Sequence, residues 1–258
     1  EASAASLEAL VHRLRNHPSV AFWTAASPGC ADAKHLSARF SRIRALDPNR
    51  VILGAPGMSG TVPHADTLLR PFRDAPESFE DFQVYQGAPL PMLGENYLRN
   101  LGRETGLCLL SGFGVEGPGW HSDDPAVGAA RRGFATRDLS GSLGTVDGLL
   151  DAARQLQQEA IPIQFDAIRA NSRIAGYFFR QLRGTGADWS GLMDAQGRHK
   201  PALAAVEAAQ RPVRPLIRML KTNLVPRETV SVVVYLANEN RLEGRADLSL
   251  QVVGPTNQ

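Results

Sequence analysis

The sequence predicts an α/β protein in which helices pack on a parallel sheet, followed by a separate all-β tail. Two observations predict the first part. Short apolar runs alternate with amphipathic stretches as far as about residue 210, and parallel strands need crossovers of a dozen or more residues, which helices supply. Hydrophobic residues make up 43% of the 258, enough for a core of domain size. The tail rests on a third observation: beyond residue 211 the pattern turns to valine-rich alternation, the period of a half-buried strand.

Each element follows from a local pattern. Leu7, Leu10, Val11 and Leu14 fall at i, i+3, i+4 and i+7, an amphipathic helix that Asn16-His17-Pro18 ends before the apolar run Val20 to Trp23. A second helix over about 32–46 carries Leu36, Phe40, Ile43 and Leu46 on one face, and Asp47-Pro48-Asn49 stops it before Val51-Ile52-Leu53. The alternation continues through Phe82 to Tyr85, a helix over about 95–104, Leu107 to Leu110, helical stretches between about 146 and 170, Ile174 to Phe179, and a last helix over 201–209. Five buried strands, at about 20–24, 51–54, 82–85, 107–111 and 174–179, are therefore expected in one curved parallel sheet. Residues 211–215, with two prolines, are the expected linker, and 216–258 an incomplete β-sandwich module with strands at Thr229 to Leu236 and Ala246 to Val253.

Composition narrows the function classes. Lys and Arg number 28 against 26 Asp and Glu, with no basic block, so no footprint for nucleic acid or an anionic membrane is expected. No apolar run reaches the roughly 18 residues that a membrane span needs. Cys30 and Cys108 are too few for a disulfide framework and lack metal spacing, so packed thiols are expected rather than a bridge. His64 and His121 likewise lack ligand spacing, and neither a metal nor another cofactor is expected. The chain has no signal-peptide pattern. Its start at Glu1 leaves open a leader or upstream domains already removed, and with them the compartment, an extracytoplasmic one being favoured.

Four motifs carry a resemblance. Arg15-Asn16-His17-Pro18-Ser19-Val20-Ala21-Phe22-Trp23, Ala45-Leu46-Asp47-Pro48-Asn49-Arg50-Val51, Gly176-Tyr177-Phe178-Phe179-Arg180-Gln181-Leu182 and the run from Gly191 to Ala202 resemble, in order and spacing, segments of the family-2 glycoside hydrolases, the group of β-galactosidases, β-glucuronidases and β-mannosidases. The resemblance covers residues 12 to about 210. It implies an eight-stranded (β/α) barrel of the TIM type with strands four to eight present, followed by the start of an immunoglobulin-like sandwich. It also implies that the first three strands belong to a missing N-terminal part of a larger chain or to another subunit.

A retaining glycosidase needs two carboxyl groups about 5–5.5 Å apart, one acid/base and one nucleophile. In the pattern that the resemblance implies, the acid follows a sugar-binding asparagine after strand four. Here the two positions read Ser27 and Pro28. The nucleophile position at the end of strand seven is Gly112, and the tryptophan that floors the sugar ring after strand eight is Arg180. Proline and glycine can neither donate nor accept the proton that the chemistry moves. Scaffold motifs are kept while the reacting positions are not, so the expected protein is a carbohydrate-binding barrel that has lost its reaction.

Other residues are weighed beside that reading. Glu116, four residues past Gly112, is either a displaced nucleophile or a solvated loop carboxylate, and Asp32 serves the following helix. Trp120, His121, Asp123 and Asp124 lie on the loop after strand seven, on the side where barrel ligands bind, and form either part of a sugar site or a polar loop. Tyr85, Asp188 and Trp189 are further mouth residues, Trp189 being equally suited to packing the rim. The expected partner is an oligo- or polysaccharide. Two alternatives stand: an active hydrolase with displaced carboxylates such as Glu116, and a structural or assembly scaffold.

Overall fold

A computed structural model describes residues 4–25, 33–53, 80–104, 106–117, 125–184, 189–221, 223–240, 242–245, 247–249 and 251. The chain divides into two compact units, 1–210 and 211–258.

The first unit is mixed α/β. It runs α1 (Ala4–Leu14), β1 (Phe22–Thr24), α2 (Ala33–Leu46), β2 (Val51–Leu53), β3 (Glu80–Tyr85), α3 (Met92–Asn100), β4 (Cys108–Gly114), α4 (Pro125–Thr136), α5 (Ser140–Leu143), α6 (Val146–Arg169), β5 (Ile174–Phe179) and α7 (Pro201–Ala209). Every strand pairing recorded among β1 to β5 is parallel: β1 with β2 through Trp23↔Ile52, β3 with β4 through Val84↔Phe113, and β4 with β5 through Leu110↔Tyr177. The single curved sheet is corrected in one respect. The described strands form a two-stranded sheet and a three-stranded one, ordered β3-β4-β5. Residues 54–79, which join β2 to β3, lie outside the described residues.

Two clusters hold these layers. Val11, Trp23, Leu36, Ile43 and Ile52 bury the faces of α1 and α2 against the first sheet. Phe113 on β4 packs edge-on against Phe165 of α6 at 5.1 Å and Phe179 of β5 at 5.4 Å, with Leu98, Leu110, Ile161 and Val206 around them. Burial of such side chains contributes roughly 1.5–3 kcal/mol apiece.

The resembling motifs are stitched by polar groups. Buried Asp47 accepts from the Trp23 indole N–H at 2.9 Å and from Arg50 at 2.7 Å, while Arg50 also donates to the carbonyls of Val20, Arg15 and His17. The turn into β2 thus clamps the approach to β1. Burial raises the Asp47 carboxyl, but the Trp23 and Arg50 hydrogen bonds outweigh it and hold the group below the ordinary range.

Helices α4 and α5 occupy a stretch that periodicity did not single out. Thr145 caps α6 by accepting from the Gly148 N–H at 3.1 Å, so the helical stretches over 146–170 are one helix, with Pro162 inside it. Cys108 is buried and not in a disulfide; Cys30, Asp32 and His64 lie outside the described residues. No helix among the described residues is long and apolar enough to cross a membrane.

Among its described residues, the second unit holds an antiparallel hairpin of β6 (Val213–Met219) and β7 (Val232–Asn238), in register Val213↔Asn238 to Met219↔Val232. Val213 to Pro215, expected as linker, therefore belong to a strand. A two-stranded ribbon has only edge strands, the setting in which proline is tolerated. Of the expected strand from Ala246 to Val253, residues 247–249 and 251 carry no strand, and Ala246, Leu250, Val252 and Val253 lie outside the described residues.

Candidate functional site

Chemistry-bearing residues converge where β3, β4 and β5 end. A cavity of about 570 Å³ opens there, lined among others by Tyr85 and Gln86 from the end of β3, Glu116 past β4, Arg180 past β5, and Leu156 of α6. Parallel strands all deliver their C-terminal ends to one side, so loops far apart in sequence meet over one cleft.

Two glycines make this geometry possible. A Cβ on Gly114 would lie 2.5 Å from the Arg180 carbonyl oxygen, and the Arg180 N–H donates to the Phe113 carbonyl at 2.8 Å. Backbone approach this close fixes where Arg180 leaves the sheet. At Gly112 a Cβ would lie 2.4 Å from the Tyr85 hydroxyl oxygen and 3.2 Å from Gln83 Cδ. The volume that a side chain at position 112 would enter is filled by Tyr85, whose hydroxyl stands 3.4 Å from Gln83 Oε1.

Glu116 is held by its neighbours. Val115 and Gly117 are buried while Glu116 is exposed. Gln157 of α6 donates to the Val115 carbonyl at 2.7 Å, and the Lys200 ammonium donates to the carbonyls of Gly117 at 2.6 Å and Trp189 at 2.8 Å. The Gly117 N–H also donates to the Trp189 carbonyl at 3.1 Å. Gly117 is needed here as well, since a Cβ would lie 2.4 Å from Gln157 Oε1. The loop after β4 and the loop after β5 are thereby tied together by one buried lysine, and the Glu116 carboxylate is presented to the cleft.

Three of the residues singled out from sequence, Tyr85, Glu116 and Arg180, line the cavity, and Gly112 lies beneath the Tyr85 hydroxyl. Trp189 is half-buried beside the cavity and contributes its backbone carbonyl to the loop ties. Ser27, Pro28, Trp120, His121, Asp123, Asp124 and Asp188 lie outside the described residues. Among the described residues lining the cavity, Glu116 is the one carboxylate, and no cluster of metal-binding side chains occurs among the described residues. Sequence reasoning missed Gln83, Gln157 and Lys200. Gln157 has no local signal, whereas Lys200 sits within the last resembling motif.

The chain matches no protein-family model and no curated protein sequence. Its fold is that of part of several glycoside hydrolases. It is similar to a β-D-mannosidase from Dictyoglomus thermophilum at a TM-score of 0.58 and 15% identity, covering 91% of this chain and 31% of that one. An exo-chitosanase from Amycolatopsis orientalis aligns at 0.53 and 14% identity, over 83% of this chain and 29% of that one. A β-glucuronidase from Ruminococcus gnavus aligns at 0.50 and 14% identity, over 80% and 35%. The chain thus spans about a third of each of these proteins.

Proposed function

We propose that this chain is a carbohydrate-binding portion of a barrel like that of the family-2 glycoside hydrolases, corresponding to strands four to eight, and that it lacks the family's paired carboxylates. Residues 1–210 are the barrel portion, and the hairpin begins a sandwich module. The remaining strands come from an N-terminal part of a larger chain or from another subunit. The observation that carries the loss of reaction is the identity at position 112: glycine has no side chain to act as nucleophile, and the Tyr85 hydroxyl occupies the adjoining space. With Pro28 at the acid position, neither proton transfer nor a covalent intermediate has its group, and general acid–base assistance alone is worth about 10²- to 10⁴-fold.

Binding needs less than catalysis. A concave site with an aromatic hydroxyl, an amide and charged groups on an apolar wall suits sugar hydroxyls, and Tyr85, Gln86, Glu116 and Arg180 supply it. Trp120, His121, Asp123, Ser27 and Trp189 are proposed to extend it. The test is calorimetric titration of the purified chain with β-linked oligosaccharides: binding weakened about tenfold or more by Tyr85→Ala supports the reading, and no binding to any glycan sinks it.

A second reading is favoured by the anchoring of Glu116. A carboxylate carried on a backbone anchored at the cleft mouth suits an acid, base or nucleophile, and a hydrolase would then use Glu116 with a second carboxyl from elsewhere.

A further inference from the structure

Helix α3 carries two stripes with different fates. Gly94 and Leu98 are buried against the core, while Leu93, Asn96, Tyr97 and Asn100 fall at i, i+3, i+4 and i+7 and share another face. On that face Leu93 is 80% and Tyr97 50% exposed. An exposed helix face ordinarily carries charge. The two charges of α3, Glu95 and Arg99, instead pair with each other at 2.7 Å, with side chains only 15% and 7% exposed. The exposed face keeps an aliphatic chain, a phenol ring and two amides, and the Asn100 amide is held there by donating to the Asn96 carbonyl at 2.7 Å.

A groove of about 590 Å³ runs along this face, lined by Leu93, Asn96, Tyr97 and Asn100, and by Gln86 at the end of β3. Among its described lining residues none is charged. Gln86 also lines the cavity at the strand ends, so one half-buried amide borders both spaces. Gly94 sets its place: a Cβ there would lie 2.7 Å from Gln86 Oε1, so the glycine lets the amide lie against the helix. Cleft and groove therefore adjoin across Gln86.

We propose that the α3 groove is a second glycan subsite, which takes uncharged units of a saccharide chain whose other end occupies the cleft. This rests on the carbohydrate reading above and adds the length and charge of the ligand. Sugar hydroxyls both donate and accept hydrogen bonds, and so do amides, so Gln86, Asn96 and Asn100 can meet a hydroxyl in either sense. Tyrosine presents a flat apolar body with a polar tip, which a sugar ring can cover with its C–H face while its hydroxyls stay wet. With no charge in the lining, nothing rewards an anionic unit over a neutral one. The common border at Gln86 favours a chain of sugars over a protein contact, because a ligand seated in the cleft passes into the groove without leaving the surface.

The experiment is calorimetric titration of the full chain with β-1,4-linked oligomers of glucose, mannose and N-acetylglucosamine, each as the disaccharide and the hexasaccharide. Added ring and amide contacts predict that the hexasaccharide of the preferred sugar binds about tenfold tighter than its disaccharide. Tyr97→Leu, which keeps an apolar chain without the ring, abolishes that preference and leaves disaccharide binding unchanged, whereas Tyr97→Phe keeps most of it. Tyr85→Ala, in the cleft, weakens both lengths alike. Equal binding of the two lengths, a preference that survives Tyr97→Leu, or a loss from Tyr97→Leu that is the same at both lengths overturns the proposal while the carbohydrate reading stands. Self-association in sedimentation that Tyr97→Leu removes, with no dependence on glycan length, assigns the face to a protein contact and overturns it as well. Failure of every oligomer to bind removes the subsite and the carbohydrate reading together. Tyr97 is half exposed, so its substitution does not threaten folding, and unchanged thermal unfolding checks this.

Discussion

Single residues explain what the motif segments hold together. Asp47 joins a buried indole N–H to a guanidinium that ties three carbonyls, so Asp47→Ala strands several polar groups at once and is expected to cost about 2–3 kcal/mol in denaturant unfolding. The Asp47 and Asp194 carboxyls are both held below their ordinary range. In each, burial raises the value, and hydrogen bonds outweigh it, from Trp23 and Arg50 in one and from the Arg198 backbone and side chain in the other. A depressed folded value means stability that is complete above about pH 5 and lost as pH falls through the folded values, below about 4. Acid unfolding of Asp47→Asn should therefore show a shallower loss over that window. At the cleft, Gly112 and Tyr85 share one volume. A double-mutant cycle of Gly112→Ala with Tyr85→Ala should give a coupling of about 1 kcal/mol, the alanine at 112 being tolerated once the ring is gone. Placing a carboxylate at position 112 by Gly112→Glu, with Pro28→Glu beside it, requires Tyr85 to move. The departures of Pro28 and Gly112 from the resembling pattern are legible in the sequence because they are identities at fixed motif spacings. The Tyr85 hydroxyl over Gly112 was not legible, since it depends on a register between strands about thirty residues apart.

At the scale of elements, apolar runs located β1 to β5 well because buried strands are short, continuous and bounded by turn residues. Helix α4 was not singled out from the sequence, yet Val127 on it is buried. The hairpin was misplaced for a physical reason: prolines at 212 and 215 read as breakers, but among the described residues β6 pairs on one side only, a setting that accommodates them. β4 is the element on which the first unit turns, since it pairs on both sides and carries Phe113. Phe113→Ala should cost about 3–5 kcal/mol in chemical denaturation, because three rings lose their common partner. The glycines at 112, 114 and 117 belong to the same logic: β4 ends in small residues so that Tyr85, Arg180 and Gln157 can approach it.

Over the whole first unit, an apolar space remains where Phe22 of β1 meets Phe178 of β5 edge-on at 5.4 Å. A cavity of about 340 Å³ is lined there by Phe22, Leu109, Tyr177 and Phe178, and Phe178 stays 46% exposed. This apolar space lies open among the described residues, so the chain should bind a hydrophobic dye, less so after Phe178→Asp. The similarity to about a third of each of several glycoside hydrolases fixes the fold and leaves the reaction to the cleft itself. Hydrolysis of chromogenic aryl β-glycosides by the purified chain tests whether the cleft binds sugar without the reaction. No turnover above the uncatalysed background is expected for any sugar, with Glu116→Gln indistinguishable from the unmutated chain. Robust turnover that Glu116→Gln abolishes would contradict it and make Glu116 the nucleophile or acid of an active hydrolase.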